Sequence, residues 1–187
     1  MKRLLIKSLL ILGAINIGIT NSVQALEMII GESYVKPGID FIFEGAIKDH
    51  VMPLSQNLAE GKTDVHIEAR VNWSAKGEVP KGTPRGGFIP YLKINAEVIN
   101  QRTKETTFVT LTPHINLIDN FHYARNMSLP GKQDDKYTVT FYVDPPEISD
   151  VSLHKDWVDG HQAYFMKKQK FTYQDLDFEK IAKASRR

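Results

Sequence analysis

A histidine and a glutamate two positions apart give the first chemical lead. His66 and Glu68 lie in the stretch Asp-Val-His-Ile-Glu-Ala-Arg-Val-Asn-Trp at 64–73. On an extended strand, i and i+2 side chains point to one face, with β-carbons about 7 Å apart. An imidazole and a carboxylate so placed suit zinc, copper or iron. The spacing alone fits a half-exposed strand with a polar face at least as well. His114 and His122 flank residues 115–121, which the pattern predicts as a loop after a strand at 106–111. Asp119 lies in that segment, as an oxygen ligand, as an acceptor for an imidazole N–H, or as a turn-former. His154 follows Pro145-Pro146 in a second expected loop, beside Lys155 and Asp156. The spacing around His50 and His161 adds nothing to their residue type.

Other chemistry is excluded or unsupported. The chain has no cysteine, so thiol catalysis, cysteine-based zinc fingers, iron–sulfur clusters and disulfides are out. There is no Gly-x-Ser-x-Gly elbow, phosphate loop or dinucleotide fingerprint, and no carboxylate pairing of the glycosidase kind. Asn72-Trp73-Ser74 and Asn126-Met127-Ser128 match a glycosylation sequon and are read as chance.

The elements that must position these residues are strands. Along 64–73, Val65, Ile67, Ala69, Val71 and Trp73 take one face; His66, Glu68, Arg70 and Asn72 take the other. Residues 88–100 alternate similarly, with Leu92, Ile94, Ala96 and Val98 inward. Residues 106–111 and 137–143 are rich in Thr, Val, Phe and Tyr, as strands prefer, and 39–47 and 170–178 are further strands. Only 175–185 has helical character, and 27–37 reads as an exposed tail. Glycine and proline at 75–87, Pro130-Gly131 and Pro145-Pro146 mark the breaks. Strands at this spacing without interleaved helices predict an antiparallel sandwich or barrel. With no repeat or linker, 26–187 reads as one domain.

At 187 residues, with 42% apolar and 25% charged residues, the composition is globular and excludes a disordered chain. Lys and Arg number 24 against 22 Asp and Glu. Three of those cations (Lys2, Arg3, Lys7) lie in the first 25 residues, which hold no acid, so the rest is slightly acidic. That argues against nucleic-acid binding. Residues 1–25 read as a cleaved signal peptide: a cationic start, an apolar run at 8–19, and Val23-Gln24-Ala25 before the cut. The run is short of the roughly 20 residues a spanning helix needs. A mature, exported chain is expected to start near Leu26.

Four stretches in order carry a family likeness: Thr-Asp-Val-His-Ile-Glu-Ala at 63–69, Gly-Phe-Ile-Pro-Tyr-Leu at 87–92, His-Tyr-Ala at 122–124, and Tyr-Thr-Val-Thr-Phe-Tyr-Val-Asp-Pro-Pro at 137–146. Over about residues 38–175 the chain resembles the periplasmic iron-transport protein family, the copper-binding partners of oxidase-linked iron permeases. The resemblance implies an all-β, immunoglobulin-like antiparallel β-sandwich that forms a homodimer, with a metal site near the subunit interface. It implies a binding protein of high-affinity iron uptake, not an enzyme. That protein would hold copper and/or iron, with zinc also admitted, for an inner-membrane iron permease. The family's copper ligands map onto His66, Glu68, His122 and His154, and Asp119 matches an acid beside the iron route.

There are departures. His114, just after Pro113, stands where the family has a methionine, with one extra residue before His122. A thioether is soft and favours Cu(I), whereas imidazole suits Cu(II), zinc or Fe(II). The family's Met-Gly-Leu-Pro stretch is replaced at 55–58, and His50 stands where the family often has an acid, which makes it a candidate for the second metal's path. A copper or zinc carrier unconnected to iron, a ferrous-oxidising enzyme and a metal-free Ig-like module remain alternatives. Since ligand imidazoles must be neutral, metal affinity is expected to fall as pH drops through about 6.5.

Overall fold

Alternation in the sequence becomes a closed apolar interior. In a computed structural model, which describes residues 26–161, 163 and 165–185, Val65, Ile67, Ala69, Val71, Ile94, Ala96 and Val98 are all fully buried. The expected signal peptide, 1–25, lies outside the described residues. Among those residues there are eight strands: β1 (Glu27–Val35), β2 (Ile39–Ile47), β3 (Val65–Trp73), β4 (Lys93–Asn100), β5 (Thr106–Asn116), β6 (Asn120–Met127), β7 (Lys136–Asp144) and β8 (Gln169–Asp177). Two short helices follow late in the chain, α1 (Lys155–His161) and α2 (Glu179–Lys183). No helix among the described residues is long and apolar enough to cross a membrane.

The strands form one antiparallel sheet in the order β1-β2-β3-β6-β5-β4-β7-β8. It curls until it is nearly a barrel. Phe43 of β2 stacks on Phe141 of β7 across the interior, ring centroids 4.0 Å apart. The end strands β1 and β8 approach closely: a Cβ on Gly31 would lie 1.9 Å from the Tyr173 ring, so any side chain there would displace the tyrosine. Each end strand also carries one extra residue against its neighbour, at Ile30 in β1 and before Leu176 in β8. The first half of β5 pairs with β4 and its second half with β6, which bends the sheet round. The all-β antiparallel expectation is borne out.

Several local expectations need correction. Residues 27–35 are not a tail but a strand, paired with β2 along its length. Only Ile30 of β1 is fully buried, so its apolar signal is faint. The 88–100 stretch is interrupted: Phe88 makes a lone bridge to Asn72, Tyr91 has φ 64°, and β4 starts at Lys93. Residues 115–121 are not a loop either. β5 continues to Asn116 and β6 begins at Asn120, leaving only a three-residue turn. The expected helix shrinks to α2, because β8 continues through Asp177; His154 does lie in a loop, as expected, with α1 starting at the next residue.

Candidate metal centre

The outward face of β3 holds the site. His66 is 2% exposed and Glu68 is 6% exposed, so the face is buried, not half-exposed. Residues 49–52 and the β5–β6 hairpin wall a cavity of about 590 Å³ over it. In the hairpin, His114 and His122 are directly paired. Since β6 also pairs with β3, three strands bring three imidazoles together. Ligand nitrogens of His66, His114 and His122 all lie within 4.8 Å of one another. Glu68 Oε1 is 3.8 Å from His66 Nε2.

The fit to a metal ion rests on the donors themselves. His122 Nδ1 is buried with no hydrogen-bond partner, and an orphaned buried polar atom is costly. Three neutral imidazoles and a carboxylate converge as electron-pair donors, the set that a first-row divalent ion takes. The other side of the His66 ring is occupied, with Nδ1 2.8 Å from Asn126 Oδ1.

Burial sets the protonation. Loss of water pushes His66 down to about 4, and loss of water with the neighbouring His122 and Arg125 pushes His114 down to about 4. His122 is lowered too, mainly by burial. Glu68 is pushed up to about 7, by burial first and then by Glu27, Glu44 and Asp119. The expected loss of affinity through pH 6.5 is therefore relocated. His66 and His114 stay neutral well below that pH, His122 is shifted in the same direction, and Glu68 is the group that exchanges a proton near neutrality.

The remaining candidates are placed as follows. Asp119 lines the cavity, but its carboxylate accepts from Arg70 Nη1 at 3.1 Å and from Asn116 Nδ2 at 3.0 Å. It also works as a turn residue, its N–H donating to Asn116 Oδ1 at 2.6 Å. His50 lines the cavity and is exposed. His154 is exposed and is not part of the cavity lining.

Sequence reasoning missed three residues. Arg70 forms ion pairs with both Glu44 and Asp119. Its place on the His66 face was visible in the alternation. Glu44 is buried and faces Glu68 across the β2–β3 ladder, a register no single strand announces. Asn126 is 1% exposed, so its sequon has no free side chain to offer.

The model of a family described as Fe2+ transport protein matches residues 24–180. No curated protein matches the chain by sequence. Among solved structures, the chain is similar to a copper-bound variant of P19 from Campylobacter jejuni, at 27% identity and TM-score 0.67, covering 79% of this chain and 94% of that one. Copper-reconstituted P19 from the same organism matches at 26% identity and TM-score 0.66, with the same 79% and 94% coverage. FetP of uropathogenic Escherichia coli strain F11, recombinantly expressed in the periplasm of E. coli, matches at 25% identity and TM-score 0.64, covering 80% and 95%.

Proposed function

The chain belongs to the Fe2+ transport protein family, and from that premise we propose that it is an exported metal-binding protein of high-affinity iron uptake, holding copper or iron for an inner-membrane permease. The observation that carries the proposal is the convergence of His66, His114 and His122 within 4.8 Å at a cavity wall, with Glu68 beside them. Copper bound to P19 supports copper as an occupant here. The family supports iron as cargo, and the same donors admit zinc. With an imidazole at 114 in place of the thioether, the set leans towards Cu(II), zinc or Fe(II) rather than Cu(I).

A divalent ion bound there would take the electron pairs that the buried donors offer. The chain's own residues do the rest. His66, His114 and His122 stand ready as neutral donors at pH 7, because burial keeps them unprotonated. Glu68 gives up whatever proton it holds when it becomes a ligand, so binding is coupled to about half a proton at pH 7 and to more as the pH falls. Arg70 holds Glu44 and Asp119 in ion pairs beside the donors. The role is binding and release, with no covalent chemistry.

The finer parts of the proposal concern assembly and place. The curled sheet is read as an immunoglobulin-like sandwich whose β5 passes from one layer to the other. The protein acts as a homodimer. His154, exposed outside the cavity, joins the ligand set when a second copy presents it. Ile115 and Ile118 line the cavity and are exposed, as is Leu117, giving that copy an apolar surface to cover. Removal of residues 1–25 during export places the mature chain in the periplasm, where FetP was expressed. Carriage of copper or zinc apart from iron would use the same donors, and family membership favours iron.

Elemental analysis of the exported protein tests the proposal, with wild type beside a His66→Ala/Glu68→Ala double variant. Near-stoichiometric copper, zinc or iron in the wild type, lost in the variant, is expected. Metal-free protein in both, even after equimolar reconstitution at neutral pH, would overturn it.

A further inference from the structure

We propose that Asn126 is a positioning residue that fixes His66 as the Nδ1–H tautomer, leaving Nε2 as a bare lone pair towards the cavity. Its value for metal binding rests on the function proposed above; the tautomer assignment does not.

Asn126 and His66 are direct partners across the β6–β3 ladder, and His66 Nδ1 lies 2.8 Å from Asn126 Oδ1. Which atom donates is settled by the other contacts of the amide. Asn126 Nδ2 donates to the carbonyl oxygens of Asp49 at 2.6 Å and Leu58 at 3.0 Å, using both its hydrogens. A flipped amide would aim its oxygen at two carbonyl oxygens, with nothing to donate. Asn126 Oδ1 also accepts the Asp49 N–H at 3.0 Å. The oxygen beside His66 is therefore an acceptor, and Nδ1 must carry the hydrogen. A neutral imidazole has one N–H, so Nε2 is bare. Nε2 is the atom 3.8 Å from Glu68 Oε1, on the side of the other donors. In metal proteins, such partners set the tautomer and aim of a ligand histidine, and removing them costs about 10–100-fold in metal affinity.

The same amide has a second hold. Asp49 and Leu58 bracket the segment that contributes His50, Val51 and Met52 to the cavity wall. One buried side chain thus ties the wall to the ligand ring. Were Asn126 only a tie for that segment, every substitution that loosens the segment would act alike. A positioning residue separates them. Aspartate keeps an oxygen acceptor for Nδ1–H but loses the donors to 49 and 58; alanine loses both.

The test is ring nitrogen-15 NMR of the metal-free exported protein at neutral pH, with zinc affinity measured against a chromophoric chelator. The wild type should show one His66 species, Nδ1 protonated and Nε2 bare. Asn126→Ala should mix the two tautomers and weaken zinc about 10–100-fold. Asn126→Asp should keep the wild-type ring signature and most of the affinity while melting earlier. Equal loss of affinity in both variants, or a single unchanged tautomer in Asn126→Ala, would overturn the proposal. The wild-type spectrum needs no variant: a mixed or Nε2–H ring overturns the assignment even where the variants do not fold. A wild type that takes no zinc removes the metal-binding function, yet a single Nδ1–H ring in that sample still upholds the tautomer.

Discussion

Strands β3 and β4 turn equally apolar faces inward: Val65, Ile67, Ala69 and Val71 on one, Ile94, Ala96 and Val98 on the other, all fully buried. Their outward faces part company. On β4, Lys93 is exposed and Asn95 and Glu97 are half-buried, meeting Thr110 and Tyr142 at a wet surface. On β3, His66 and Glu68 are buried beneath residues 49–52 and the β5–β6 hairpin. The difference lies in the cover, not in the strand. A polar group on β4 keeps its water. One on β3 loses it, and must find a partner, shift its protonation, or take a ligand. On β3 the first two occur, with Arg70 paired and Glu68 shifted, and beside them His122 Nδ1 of β6 is left open.

If the inward faces are equivalent, Ile67→Ala and Ile94→Ala should each cost about 2–4 kcal/mol in denaturant unfolding. A much smaller loss at Ile67 would break the equivalence. The outward faces should diverge next. Glu68 is raised in the folded state from 4.5 to about 7, so the folded protein holds more protons than the unfolded one across that window. Its contribution is present below about pH 4.5 and is lost as pH rises through 7. Glu68→Gln should therefore stabilise the metal-free protein at pH 8 relative to pH 5, on the order of 2 kcal/mol. Melting curves of wild type and variant at the two pH values decide it. The smallest effect belongs to Lys93→Ala, which removes an exposed ion pair to Glu147. It should leave the melting temperature unchanged within error, since an exposed pair is screened by water; a clear loss would mean that the β4 face is covered after all.

This comparison also explains what the sequence could reveal. Alternation assigned β3 and the core half of β4 to the right faces, because periodicity reports which side a residue takes. It does not report what lies above that side, so the burial of His66 and Glu68 was not legible. The pairing of His114 with His122 was within reach. Each lies two residues from an asparagine, Asn116 and Asn120, and Asn120 sits at φ 60° in the hairpin turn. Asparagine tolerates that left-handed backbone, which is the hairpin signal. Asn126 and Glu44 could not be found this way, since each acts through a neighbouring strand's register. β1 was missed because its stability comes from ladder hydrogen bonds to β2, which leave little mark on side-chain pattern.

The two end strands bear on how the protein behaves in a crowded solution. An open end strand presents unpaired N–H and C=O groups and is a template for aggregation. Here Tyr173 lies over Gly31, which sets β1 against β8, and each end strand is bulged. Strand addition between copies is thereby discouraged, so any pairing of copies has to use side-chain surface such as Ile115, Leu117 and Ile118. A glycine and a tyrosine that take no part in the cavity thus help, with the two bulges, to make both edges poor templates for strand addition.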